Sequence, residues 1–326
     1  LSVIRRAAAL AALALLAAPG VARADGPQIG VSSFTEGPAV NGTRYVTVPL
    51  ARSTLLETVS TDGGSVFLMD TLPGRWGTWR VTTDGQLGGI SGDGRLLVLG
   101  QVGQTSTVHG TRLLLVQTQT RRWHIIHLPG SFSFDAFSQD GRTLYLIQHV
   151  GNPYGSVYRV RAYDTREHRL LPKVIAERWA GSTTMSGYPI DRVTGPDGDW
   201  VFTLYQGPHG GKEFVHALDT AHRFAMCINI PHSITRDLTQ LLIRLAADHD
   251  SVELVEHGQV VGRIGVDDLR LTPVSKVQPR HAAGSTPPQT QSDRPWAPIA
   301  AGFAAAILAA GGCAMVLRRR RRHAVS

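Results

Sequence analysis

Cysteine is nearly absent: the 326 residues contain two, Cys227 and Cys313. The second sits in a long apolar run, so no disulfide is expected between them. A body without cross-links must be held by its hydrophobic core, which a chain of this length can build. Zinc sites of the paired-cysteine kind are excluded on the same ground. Acid is missing from both ends. Residues 1–24 carry Arg5, Arg6 and Arg23 with no carboxylate, and residues 318–326 carry Arg318 to Arg322 with none. Those eight arginines account for the whole formal charge of +8, leaving 25 basic and 25 acidic residues between the ends. The basic balance therefore points to no nucleic-acid partner. Catalytic motifs are lacking too, since neither a Gly-x-Ser-x-Gly elbow nor a His-Glu-x-x-His pair occurs. Gly207 to Glu213 fails as a phosphate loop, because Gln206 stands in the place of its first glycine and Glu213 in that of the magnesium-binding hydroxyl.

The two basic ends flank apolar segments. Arg5 and Arg6 precede the run Ala7 to Ala18, and Ala22-Arg23-Ala24 offers small residues at the positions a signal peptidase reads. A twelve-residue apolar run rises about 18 Å as a helix, short of a hydrocarbon core of about 30 Å. Residues 1–24 are thus expected to be a signal peptide. The uncharged run from Trp296 to Leu317 rises about 33 Å, enough to span, and the arginines behind it stop transfer. The expected organisation is a body over 25–271, a Pro/Ser/Thr-rich stalk over 272–295, a transmembrane helix over 296–317 and a basic cytoplasmic tail over 318–326. This would place the body outside the cytoplasmic membrane.

Between residues 28 and 271 short apolar or alternating runs are separated by turn residues, with no amphipathic stretch longer than two helical turns, an all-β pattern. One turn recurs: Ser91-Gly92-Asp93-Gly94, Ser138-Gln139-Asp140-Gly141 and Gly195-Pro196-Asp197-Gly198. Asp-Gly supplies the positive backbone angles a tight hairpin needs. A second turn follows at Gln117-Thr118, Asp164-Thr165 and Asp219-Thr220, and Asp62-Gly63-Gly64 matches it in an earlier unit. A last unit would use Arg236-Asp237 and Glu256-His257-Gly258. The first turn recurs after 47 and then 57 residues, near the length of a four-stranded propeller blade.

Phe137 to Leu146, followed by Val160-Arg161-Ala162-Tyr163-Asp164-Thr165, resembles the blade pattern of the YVTN and TolB-like propellers, relatives of the WD-repeat fold. The resemblance implies a β-propeller. Five or six four-stranded blades are expected, with innermost strands near 28–34, 86–90, 133–138, 189–194 and 231–236. Residues 75–90 fit no blade in this count, and a two-sheet sandwich is the alternative architecture.

In such a blade the two tight turns share one end, and the longer connections gather at the other. Those connections bring Phe132, His149, Tyr154, Trp179, Tyr188 and His209 toward one face, the expected ligand-binding residues. No catalytic residue, cofactor or metal is expected. Asp248-His249-Asp250 is an isolated trio read as a hairpin cap, and His124 and His127, three apart on a strand, point to opposite faces. The expected function is an envelope binding module for a protein or small ligand, anchored to the membrane by its C-terminal helix. The alternative is a propeller enzyme, lactonase- or hydrolase-like, working through the central channel.

Overall fold

Short-range hydrogen bonds explain why the recurring turns form. Ser91 Oγ donates to Asp93 Oδ1 at 2.6 Å and accepts from Leu96 N at 3.0 Å, while Asp93 Oδ1 accepts from Arg95 N. Ser138, Asp140, Arg142 and Thr143 repeat the set. Gly94, Gly141 and Gly198 sit at φ of 73, 69 and 74°, where a Cβ would be strained. A threonine then ties second turn to first. Thr118 Oγ1 donates to Gly94 O at 2.7 Å, Thr165 Oγ1 to Gly141 O at 2.8 Å and Thr220 Oγ1 to Gly198 O at 3.2 Å. Both tight turns of each unit therefore lie at one end of its sheet.

The computed structural model describes residues 30–32, 37–103, 110–151, 157–176, 183–208, 211–235 and 240–274, and these are all-β. Five sheets of antiparallel strands follow one another along the chain, each with its four main strands paired in chain order. Sheet I holds Ala39–Val40, Thr43–Pro49, Ser53–Ser60 and Val66–Pro73. Sheet II holds Trp76–Gly77, Leu96–Gln101, Thr111–Gln117 and Trp123–Leu128. Sheet III holds Phe132–Phe137, Thr143–His149, Val157–Asp164 and Arg169–Ile175, with Met185–Ser186 added against Val157 and Tyr158. Sheet IV holds Tyr188–Thr194, Trp200–Gln206, Phe214–Asp219 and Phe224–Asn229. Sheet V holds Leu241–Leu245, Ser251–Glu256, Gln259–Gly265 and Leu271–Pro273.

Alternation along the strands packs these sheets face to face. Neighbouring residues of one strand enter different cores: Leu114 joins Leu56 and Leu97 between sheets I and II, whereas Leu113 joins Leu144 and Leu146 between II and III. Tyr145 and Val160 meet Val201 and Leu218 between III and IV, and Phe202 and Leu204 meet Leu241 and Leu254 between IV and V. A central strand thus buries side chains on both faces and reads as a continuous apolar run.

Residues 75–90 resolve into two pieces. Trp76–Gly77 is the first strand of sheet II, pairing with Gly100 and Gln101. Trp79–Arg80 and Leu87–Gly88 form a hairpin that pairs with Gly30–Val31 in a separate three-stranded sheet. Gly30 and Val31 therefore do not open a four-stranded unit, as the reading of 28–34 expected; the first such unit opens at Ala39. The last unit also differs. Pro231 to Ile234 turn rather than extend, with Ile234 N donating to Pro231 O, and Arg236 and Asp237 lie outside the described residues. Its first turn is Ala246 to Asp250, where His249 takes the glycine's place at φ 65°. His257-Gly258 instead links its second and third strands. The expected signal peptide, transmembrane helix and tail lie outside the described residues, as does the stalk from 275 on. No helix among the described residues is long and apolar enough to cross a membrane.

Candidate functional site

Because both turns of a unit share one end, residues next to the turns of adjacent sheets accumulate there. Between sheets II and III they enclose a groove of about 590 Å³. Its walls carry Arg95 and Arg142, each directly after an Asp-Gly turn, and Arg122 and Arg166 from the second turns. Arg95 lies 3.7 Å from Asp93 and Arg142 lies 3.2 Å from Asp140. Burial raises the Asp140 carboxyl, but hydrogen bonds from Arg142 N and the Ser138 hydroxyl outweigh it and hold the group below its usual range. Arg122 and Arg166 are exposed and have no carboxylate partner among the described residues.

Aromatic surface stands beside this charge. Trp123 is 45% exposed on the outermost strand of sheet II. His124 meets His168 of sheet III with ring centroids 4.3 Å apart. His168 occupies the left-handed position of its turn, at φ 51°. Burial lowers the His124 pKa, and the neighbouring His168 and His127 lower it further, so its imidazole is neutral near neutral pH. The groove can therefore offer two uncompensated guanidinium forks and flat aromatic faces, which suits carboxylates or other planar anions.

A second cavity, about 250 Å³, lies near the first strands of the sheets. Arg192 of sheet IV forms an ion pair with Asp135 of sheet III, hydrogen-bonds its backbone carbonyl and donates from Nε to Thr203 Oγ1 at 3.0 Å. The hairpin tip from Thr82 to Gln86 reaches across: Thr83 N donates to Pro189 O at 2.9 Å and Gln86 hydrogen-bonds Asp191. Asp191 Oδ2 in turn accepts from Ile243 N of sheet V at 2.8 Å. Burial pushes the Asp191 carboxyl up against the pull of these donors, and Asp84 adds to the rise. Most polar groups here are spent on one another, while Asp135 Oδ2 has no hydrogen-bond partner among the described residues. The arrangement braces three sheets.

Of the residues expected to bind ligand, Phe132, His149 and Tyr188 lie among the described residues. Phe132 is 3% exposed and packs in the core between sheets II and III, where its ring shows no face to solvent. His149 Nε2 lies 3.0 Å from Ser133 Oγ. Tyr188 is 43% exposed at the start of sheet IV. Tyr154, Trp179 and His209 lie outside the described residues. The groove arginines were missed, although the repeat carried a signal for them: an arginine follows Asp-Gly in two units, and turns that share an end bring such residues together.

No family model matches the chain, and no curated protein matches it. Solved structures do resemble it. TolB from Acinetobacter baumannii aligns at 16% identity over 71% of this chain and 52% of its own, with a TM-score of 0.40. An oligogalacturonate lyase in complex with manganese aligns at 10% identity over 75% and 65%, with a TM-score of 0.42. The β-propeller domain of the trilobed protease from Pyrococcus furiosus aligns at 10% over 76% and 85%, with a TM-score of 0.37. The chain thus spans about half the length of TolB.

Proposed function

We propose that this chain is a membrane-anchored, extracytoplasmic β-propeller that acts as a binding module, with the five four-stranded sheets as its blades. Its partner carries carboxylates or comparable acidic groups and docks in the groove between sheets II and III. One observation carries this reading: Arg122 and Arg166 face the groove with no carboxylate partner among the described residues, beside the exposed Trp123. An unpaired guanidinium keeps its full capacity for a bidentate contact with an incoming carboxylate. The body as a whole is neutral, so the attraction is local and acts within a Debye length of about 8 Å at physiological salt.

Fluorescently labelled poly-glutamate, titrated against the full chain in detergent, tests the groove. The R122A/R166A double variant is expected to bind roughly tenfold more weakly, from two exposed contacts of about 0.5–1 kcal/mol each. Affinity unchanged by both the double substitution and added salt would overturn the assignment. The location rests on the apolar segments at 7–18 and 296–317 and is tested by reporter fusions. A fusion after Ser326 is expected to be active only in the cytoplasm, and one at Gly284 only outside it; the reverse pattern would refute the anchor.

A further inference from the structure

Cys227, Met185 and His216 come from three different strands and meet at the boundary of sheets III and IV. Cys227 Sγ lies 3.8 Å from Met185 Sδ and 3.8 Å from His216 Nδ1. Register explains two of the three: His216 and Cys227 are directly opposed on adjacent strands of sheet IV. Met185 arrives separately, on the short strand added to sheet III opposite Tyr158. His216 is 1% exposed, and its Nε2 has no hydrogen-bond partner among the described residues. Met185 and Cys227 are half-buried.

Metal–sulfur bonds of about 2.3 Å and metal–nitrogen bonds of about 2.0 Å, set near 120°, separate donor atoms by roughly 3.7–4.0 Å. The Cys227–Met185 and Cys227–His216 separations both fall in that interval. The donor set also selects the ion. Thiolate and thioether sulfur favour a soft monovalent d¹⁰ cation, while oxygen-rich sites serve hard divalent ions. No group of three His, Cys, Asp or Glu side chains suited to a metal occurs among the described residues.

We propose that Cys227, Met185 and His216 form a three-coordinate site for copper(I). Binding exchanges one proton for one ion: the Cys227 S–H bond breaks, the Cu–S bond forms and the proton leaves to solvent, with no change of oxidation state. His216 enters as a neutral ligand, since burial keeps its imidazole deprotonated at neutral pH. The thioether of Met185 completes the set and brings no charge.

The test is a titration of the full-length chain in detergent, under nitrogen, with copper(I) supplied as its acetonitrile complex and bicinchoninate as competing chelator. One copper per chain is expected to resist the chelator, with one proton released, and X-ray absorption should show two sulfur neighbours and one nitrogen. C227S is expected to lose about a hundredfold in affinity. M185L, a volume-conserving change that keeps the packing, is expected to lose about tenfold and one sulfur neighbour. C313S should bind as the parent does. Failure of the parent chain to compete for copper, or retention of affinity in both C227S and M185L, would overturn the site.

Discussion

Replacing Asp135 by alanine is expected to destabilise the body by about 3–5 kcal/mol, the range for stranding one partner of a buried ion pair. The side chains of Asp135 and Arg192 are 3% and 12% exposed. Removing the carboxylate leaves the guanidinium with Thr203 and a backbone carbonyl but no counter-charge. The loss spreads, because Arg192 follows Asp191, the residue that receives Gln86 and Ile243. Thermal unfolding should fall by roughly 10 °C for a body of this size. The paired replacement D135L/R192L should recover much of the loss, since two apolar side chains strand no charge. A single variant that unfolds within about 1 °C of the parent would show that the pair is solvated.

Acid is expected to weaken the fold through His216. Burial, against an opposing pull from Asp135 and with a smaller push from Arg192, lowers its pKa from 6.5 to about 4. The folded pKa lies below the unfolded one, so below pH 6.5 the unfolded chain binds a proton that the folded chain refuses. Stability therefore falls as pH drops from 6.5 toward 4, by about 3 kcal/mol in all, and is fully present above that window. Carboxylates held low, such as Glu253 between Arg244 and Arg263, lose their contribution only in stronger acid. Denaturant melts across this pH range should show a slope that is markedly shallower in H216Q than in the parent chain. An equal slope in both would assign the acid sensitivity elsewhere.

Much of the strand order was legible because the turns are local. Ser138, Asp140 and Gly141 close their hairpin with bonds spanning at most five residues, so their pattern repeats in the sequence as it repeats in space. The last unit was expected but its first turn was misplaced, because one residue breaks the pattern: His249 adopts the backbone angle that glycine takes in the other units, and without Asp-Gly the turn reads as an isolated polar trio. The hairpin of residues 79–88 escaped for another reason. Its strands are two residues each, too short for alternation to register, and its tip is held by Pro189 and Asp191, about a hundred positions away.

The two histidines at 124 and 127 show the same division. Their spacing assigned them to opposite faces, yet nothing local could say that the His168 ring would meet one of them. Asp135 with Arg192, Met185 with Cys227, and Arg122 beside Arg166 likewise depend on which sheet lies against which. Sequence alone determined the turns, the strand parity, the neutral balance of the body and the basic, apolar ends, because each is a property of neighbouring residues. Only the tertiary structure decided where charge and sulfur collect. Side chains 40 or more positions apart meet through the packing of whole sheets, and that packing is set by the shared cores between them.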